Sequence, residues 1–214
     1  MAIQITKIET QKRAKTRYSL YSGDRFLLGV SQDTLLKFNL FTGKNLTEQE
    51  FNLIRSAESA QKLRDQALRY LSRRAHSCQE LRDKLSQKGF LSGDIELLIL
   101  DFTERGYLND SEFARAFIED EINIKYSGPL LISDKLTKRG ITGELVAQLI
   151  SQLYNSERQG ENCRYLAEKK YKNGIPEQDR KAKQSLVSFL RGKGYTWEHI
   201  SAATAYITEE NNRE

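Results

Sequence analysis

The side chains best placed to do chemistry in this chain are cations, and the chemistry they offer is charge neutralisation, not bond making. Arg69, Arg73 and Arg74, followed by Arg82, Lys84 and Lys88, cluster around Tyr70. Lys169, Lys170, Lys172, Arg180, Lys181, Lys183, Arg191 and Lys193 cluster around Tyr165 and Tyr171, with Lys135, Lys138 and Arg139 lying between the two groups. Ammonium and guanidinium groups so arranged can each displace a counterion from a nucleic-acid phosphate, and binding of that kind weakens steeply with salt. The same clusters also fit the solvated faces of charge-rich helices. Tyr70 and Tyr165 fit the boundary of an apolar core better than a base-stacking platform.

Patterns that make or break bonds do not emerge. Gly43-Lys44 is followed by Asn45 and has Phe38 where the first glycine of a phosphate loop would stand. Gly192-Lys193-Gly194 lacks the third glycine and the preceding strand of a dinucleotide fingerprint. There is neither GxSxG nor HExxH. His76 and His199 stand apart among polar neighbours and read as surface residues, while Cys78 and Cys163, in no CxxC pair, read as reduced and partly buried thiols. Glu112, Glu119, Asp120 and Glu121 lack the spacing and central glycine of a calcium loop, so they read as a solvated face or as a contact for a basic protein patch. The expectation is a protein that is not an enzyme and has no catalytic residue, cofactor or metal.

Behind these side chains stands a chain of 214 residues in which Lys and Arg number 34 against 29 Asp and Glu, a net charge of +5. With 2 prolines and 29% charged residues, the composition favours long, solvated helices. No apolar run approaches the roughly 18–20 residues that a bilayer requires, and the start lacks the pattern of a signal peptide, so a soluble, cytoplasmic protein is expected. The charge is unevenly spread. Residues 61–90 carry eight basic and three acidic groups, 91–124 carry two and nine, and 161–195 carry nine and four. A small net value therefore conceals two basic blocks separated by an acidic one.

Strand signals are confined to the first 30 residues. Ile3–Ile8 alternates with period two, and Arg17–Tyr21 and Arg25–Val30 flank the turn cluster Ser22-Gly23-Asp24, which predicts a small antiparallel sheet or hairpin. Leu35, Leu36, Phe38, Leu40 and Phe41 predict a short helix ending near Gly43, and Thr47-Glu-Gln-Glu50 is a capping box for the next helix. Beyond it, one phrase recurs three times: Leu81–Phe90, Ile132–Ile141 and Leu186–Tyr195 each read apolar-x-x-x-Leu-x-x-basic-Gly-apolar. The apolar pair shares a helix face, the cation opposes the negative end of the helix dipole, and the glycine supplies a left-handed cap. Apolar helical segments follow at Ile95–Phe102, Leu145–Leu153 and Ile200–Ile207, and a helix precedes each phrase. The expected fold is thus mainly α, with tandem three-helix bundles in an elongated, curved array after a small amino-terminal antiparallel β element. The expected divisions are 1–60 for the amino-terminal extension, then 61–109, 110–156 and 157–210 for the three repeats.

The run Ala67–Leu85 through Gly89-Phe90, followed by Gly106-Tyr107-Leu108-Asn109-Asp110, Phe113-Ala114 and Ile132–Gly140, resembles the RecX family of recombination regulators. The amino-terminal extension is similar to that of the family's longer members. The resemblance implies a partner, the RecA recombinase filament on single-stranded DNA, and inhibition of its strand exchange, ATP hydrolysis and repressor cleavage, a role in DNA repair and the SOS response. It also implies weaker affinity for DNA itself, no membrane partner, and a monomer. The third repeat departs from the pattern at Asn173–Gln178, which lengthens its first connection. The competing expectation is a helical DNA-binding protein that acts without a recombinase, although no helix sets Arg, Asn and Gln side by side as a recognition helix does.

Overall fold

The hairpin signal folds as expected in this computed structural model, which describes residues 2–11 and 14–210. β3 (Ala14–Ser22) and β4 (Arg25–Ser31) pair antiparallel, and β2 (Lys7–Gln11) joins the far edge of β3. The alternating run 3–8 is not a single strand. β1 (Ile3–Gln4) pairs instead with β5 (Asn45–Leu46), because Ile5 is drawn completely into the core. Its N–H donates to the Lys44 carbonyl at 2.9 Å, and its own carbonyl accepts from Gly43 at 2.7 Å, so the backbone cannot stay in one ladder. α1 (Gln32–Lys37) stops at Phe38, short of Gly43, where Asn39 takes φ +47° and turns the chain to bury Leu40.

α2 (Glu48–Leu71) opens on the full Thr47/Glu50 capping box and runs unbroken past residue 60. Ile5, Leu20, Val30, Leu40, Leu46 and Ile54 form the core between the sheets and these helices. An ion pair lies beside it that periodicity does not predict. The buried Glu58 carboxylate accepts from the Arg17 guanidinium, from the Ser31 N–H at 3.0 Å and from the Thr34 hydroxyl at 2.9 Å, so no charge is left unpaired.

The remaining described elements are helices: α3 (Cys78–Ser86), α4 (Ser92–Glu104), α5 (Asp110–Asn123), α6 (Pro129–Thr137), α7 (Glu144–Leu153), α8 (Ser156–Lys170), α9 (Arg180–Gly192) and α10 (Trp197–Glu210). The chain divides into two compact units, one running to Arg73 and including Leu85–Leu98, the other comprising Arg74–Lys84 and Ile99 onward. In the second unit, α5, α6 and α7 enclose one core around Ile118, Ile132 and Leu149, and α8, α9 and α10 enclose another around Cys163, Leu186 and Ile200. The buried apolar pairs Ile132/Leu136 and Leu186/Leu190 are those of the repeated phrase.

The glycine of that phrase does more than cap a helix. Gly194, at φ +85°, ends α9, and its carbonyl accepts from the Leu130 N–H at 3.1 Å, while the Lys193 carbonyl accepts from Gly128 at 2.7 Å. α6 begins at Gly128 without any side-chain cap, so carbonyls at the end of α9 satisfy amides that its own first turn leaves open. The negative end of one helix thereby meets the positive end of another. The same joint occurs one repeat earlier, where Ser77 Oγ donates to the Arg139 carbonyl at 2.8 Å and Gly140 lies against Gln79. Buried tyrosines lock the later joint: Tyr195 OH donates to the Tyr126 carbonyl at 2.9 Å and meets Tyr154 OH at 3.2 Å.

Candidate functional site

The end-to-end joint between α9 and α6 carries cations from three helix ends to one place. Lys193 caps α9, Lys169 and Lys170 occupy the last turn of α8, Lys125 follows α5, and Lys135 rises from α6. All five line a cleft of about 500 Å³, walled on its apolar side by Tyr126, Leu166 and Phe189. Lys170 Nζ stands 4.6 Å from the Phe189 ring centre and Lys193 Nζ 5.7 Å from it, so the aromatic face holds two ammonium groups at the rim. Tyr126, a non-glycine residue at φ +52°, packs its ring 4.5 Å from that of Tyr165.

Glu121 sits beneath, its side chain 1% exposed. It accepts from Lys125 Nζ at 2.6 Å, Lys135 Nζ at 2.5 Å and Ser127 Oγ at 2.7 Å. Burial pushes this carboxyl upward, but the hydrogen bonds from Lys125, Lys135 and Ser127 outweigh it and hold the group below its ordinary value. It remains charged at neutral pH and fixes two lysines. Five ammonium groups against one carboxylate leave a surplus of four positive charges. A concave surface of one sign focuses the field and attracts an anion such as phosphate or carboxylate.

A second cleft, of about 560 Å³, occupies the equivalent place at the joint between α6 and α3. Superposing the repeated phrases sets Arg74 against Lys125 and Arg139 against Lys193. Aligning the buried pair Ala114/Ile118 with Cys163/Ala167 sets Phe117 against Leu166 and Asp120 against Lys169. Here the cations are engaged. Glu80 accepts from Arg74 Nη1 at 2.8 Å and pairs with Arg139 Nε at 3.2 Å, and the Arg139 guanidinium lies 4.5 Å from the Phe117 ring centre. Burial pushes the Glu80 carboxyl up, yet the two arginines bring it below its ordinary value.

Four sequence models, for the regulatory protein RecX N-terminal domain and for the first, second and third RecX three-helix domains, match residues 3–47, 64–99, 109–150 and 157–204. The chain is 30% identical over 208 residues to the regulatory protein RecX of Listeria monocytogenes serotype 4a (strain HCC23), covering 97% of this chain and 77% of that one. The chain belongs to the RecX family. Its relatives include the regulatory protein RecX of Clostridium tetani, 29% identical, with 93% of this chain and 92% of that one covered. A crystal structure of regulatory protein RecX superposes with a TM-score of 0.66 at 26% identity over 100% of both chains.

Within this RecX-family fold the expected cations separate into groups. Lys135, Lys169, Lys170 and Lys193 meet in the lysine cleft, and Arg74 and Arg139 meet across Glu80. Arg69, Arg73 and Lys88 are exposed in the first compact unit. Arg82 donates to Gln79, Lys84 is half-buried, and Lys138 pairs with Asp134. Lys172, Lys181 and Arg191 are exposed, and Lys183 borders a separate groove beside Trp197. Lys125, Tyr126 and Phe189 escaped the sequence reading, although Lys125 stands 51 residues after Arg74, the spacing of the first two phrases.

Two sequence expectations are corrected. His76 is buried, not at the surface, because its ring Nδ1 lies 2.9 Å from the Arg74 carbonyl in the turn before α3. Glu121 is the buried anchor of two lysines and no part of a solvated face. His199 is half-buried between Ser156 and Thr196, Cys163 is buried, and Cys78 is half-buried. Among the described residues no group of three or more His, Cys, Asp or Glu could hold a metal, and no helix is long and apolar enough to cross a membrane.

Proposed function

We propose that this protein regulates recombination in the cytoplasm by binding the RecA filament on single-stranded DNA, inhibiting its ATP hydrolysis, strand exchange and stimulation of repressor cleavage. The lysine cleft supports this reading most directly, since a surplus of four positive charges beside aromatic rings suits an anionic polymer. It acts by binding, without catalysis. In this reading three tandem units, 61–109, 110–156 and 157–210, act as a monomer, and linked weak contacts to successive filament subunits multiply through effective concentration. Bridging neighbouring subunits restrains the rearrangements that accompany ATP turnover.

The test is to titrate the purified protein into its host recombinase on single-stranded DNA and follow ATP hydrolysis. Inhibition at near-stoichiometric amounts is expected. No inhibition, together with tight binding to naked duplex DNA, would replace this reading with that of a DNA-binding protein acting alone. On naked single strands, four effective cations correspond to a slope of log affinity against log salt of about −3. Lys169→Glu with Lys193→Glu should flatten that slope by about 1.5 and lower affinity at least tenfold. An unchanged slope would remove the cleft from the nucleic-acid contact.

A further inference from the structure

The two equivalent clefts are built by the same joint but carry opposite free charge, and this difference assigns the earlier one its own ligand. In the lysine cleft, α8 contributes Lys169 and Lys170 at the rim. In the earlier cleft, the aligned positions of α5 are Asp120 and Glu121, and Glu121 turns inward to anchor lysines, leaving Asp120 at the rim with Glu112 two turns before it. Both are exposed, and no salt bridge among the described residues engages either of them. Arg74 and Arg139, which line this cleft, are already shared by Glu80. Between the two free carboxylates runs an apolar stripe. Phe113 and Phe117 stack with ring centres 6.2 Å apart, Ala116 is exposed beside them, and Tyr107 opposite is 52% exposed.

Glu112, Ala116 and Asp120 lie at successive i, i+4 positions, so the acids flank the stripe along one helix face. An apolar centre with charges at its rim is the anatomy of a protein contact, and phosphates would meet repulsion from Glu112 and Asp120. We infer that this cleft docks a lysine- or arginine-bearing segment of the protein partner, one apolar side chain of that segment seating on Phe113 and Phe117 while its cations meet Glu112 and Asp120. The lysine cleft then meets nucleic acid or another anion, and the two joints divide protein from phosphate recognition. This inference rests on the filament reading, since that reading supplies the protein partner.

The experiment uses the full chain as Glu112→Lys with Asp120→Lys, beside a control that makes the same charge change at the exposed positions Glu104→Lys with Glu144→Lys, which lie outside the cleft. Each is measured by anisotropy on a labelled single-stranded oligonucleotide, and by equilibrium binding to recombinase free of DNA and to recombinase filaments. The cleft variant is expected to lose at least tenfold in affinity for both recombinase forms while binding the naked oligonucleotide as well as the wild type or better. Phe113→Ala should weaken recombinase binding in the same direction without altering oligonucleotide binding. If the cleft variant binds recombinase as the control does, the inference is overturned while the filament reading stands. If the wild type binds no recombinase in either form, the filament reading itself fails.

Discussion

Gly128→Ala isolates the joint on which the lysine cleft is built. The residue has φ −76° and ψ 164°, an extended conformation that alanine adopts without strain, so no backbone penalty confuses the result. A Cβ there would fall well inside 3.0 Å of the Gly194 carbonyl group and 2.6 Å from the Tyr195 nitrogen, and backbone atoms cannot rotate away as a side chain would. The ends of α6 and α9 must separate. Two backbone hydrogen bonds, Gly128 to Lys193 and Leu130 to Gly194, are then strained or lost, at about 1 kcal/mol each. The buried hydrogen bond from Tyr195 to the Tyr126 carbonyl adds roughly another 1–2 kcal/mol if it too is broken. The expected destabilisation of this joint is therefore about 2–4 kcal/mol. Gly93→Ala is the control, a glycine in α4 with nothing within 4 Å of an added Cβ, where the substitution should be neutral or stabilise by up to about 1 kcal/mol. Urea unfolding, with amide hydrogen exchange at Leu130 and Ile132 as the local readout, measures both. Exchange at Leu130 as slow as in the wild type, with overall stability within about 0.5 kcal/mol of it, would refute the close-approach argument.

Acid and thiol chemistry provide two more checks. Glu121 has its carboxyl lowered in the folded state, so its stabilising contribution is fully present above the ordinary carboxylate range and fades as pH falls through the folded value. Glu121→Gln should cost about 1–3 kcal/mol at pH 7, discounted because Lys125 and Lys135 still reach water, and the gap to the wild type should narrow as pH falls below the ordinary carboxylate range; a gap that stays constant as the pH is lowered until the carboxyl protonates would contradict the charge argument. Burial pushes the Cys163 thiol up to about 12, and Cys78 is also raised, so a thiol reagent at pH 8 should label folded Cys163 at least a thousandfold more slowly than the urea-unfolded chain; two rapidly labelled thiols per native molecule would be incompatible with the core of α8 to α10.

Local grammar was legible because it is written in neighbouring residues. The Thr47/Glu50 capping box, the Gly23 turn and the apolar-x-x-x-Leu-x-x-basic-Gly phrase each specify backbone geometry within ten positions, and tertiary structure left them unchanged. What sequence could not supply was which end meets which. The period-two run 3–8 looks like one strand because alternation does not record that Ile5 is claimed by the Lys44 backbone. Glu121 belongs to a run of three acids and looks solvated, since the helix turn that aims it inward is fixed by Ser127 and Lys135 from later in the chain. Lys135 and Arg139 were expected among the free cations, yet each is tied to a buried or half-buried carboxylate, so the count of basic residues overstated the charge available to a ligand.

The repeated phrase fixes a basic residue before each glycine, and the docking of one helix end on another carries that residue's neighbours to the mouth of a cleft. The charge at that mouth follows the preceding helix: Lys169 and Lys170 at the end of α8, Glu112 and Asp120 on α5. A repeated scaffold can thus keep its cores and caps while Lys169 and Lys170 at one joint, against Asp120 at the other, shift the charge that each cleft presents. Exchanging Lys169-Lys170 with Asp120-Glu121 would make the earlier cleft more positive and the lysine cleft less so, but Glu121 also anchors Lys125 and Lys135 beneath the lysine cleft, so the exchange would remove that support as well. Glu121 positions cations of the lysine cleft and lines no part of the earlier one, so single substitutions at Asp120 and Lys169, which spare Glu121, are the ones that can alter one field without disturbing the other.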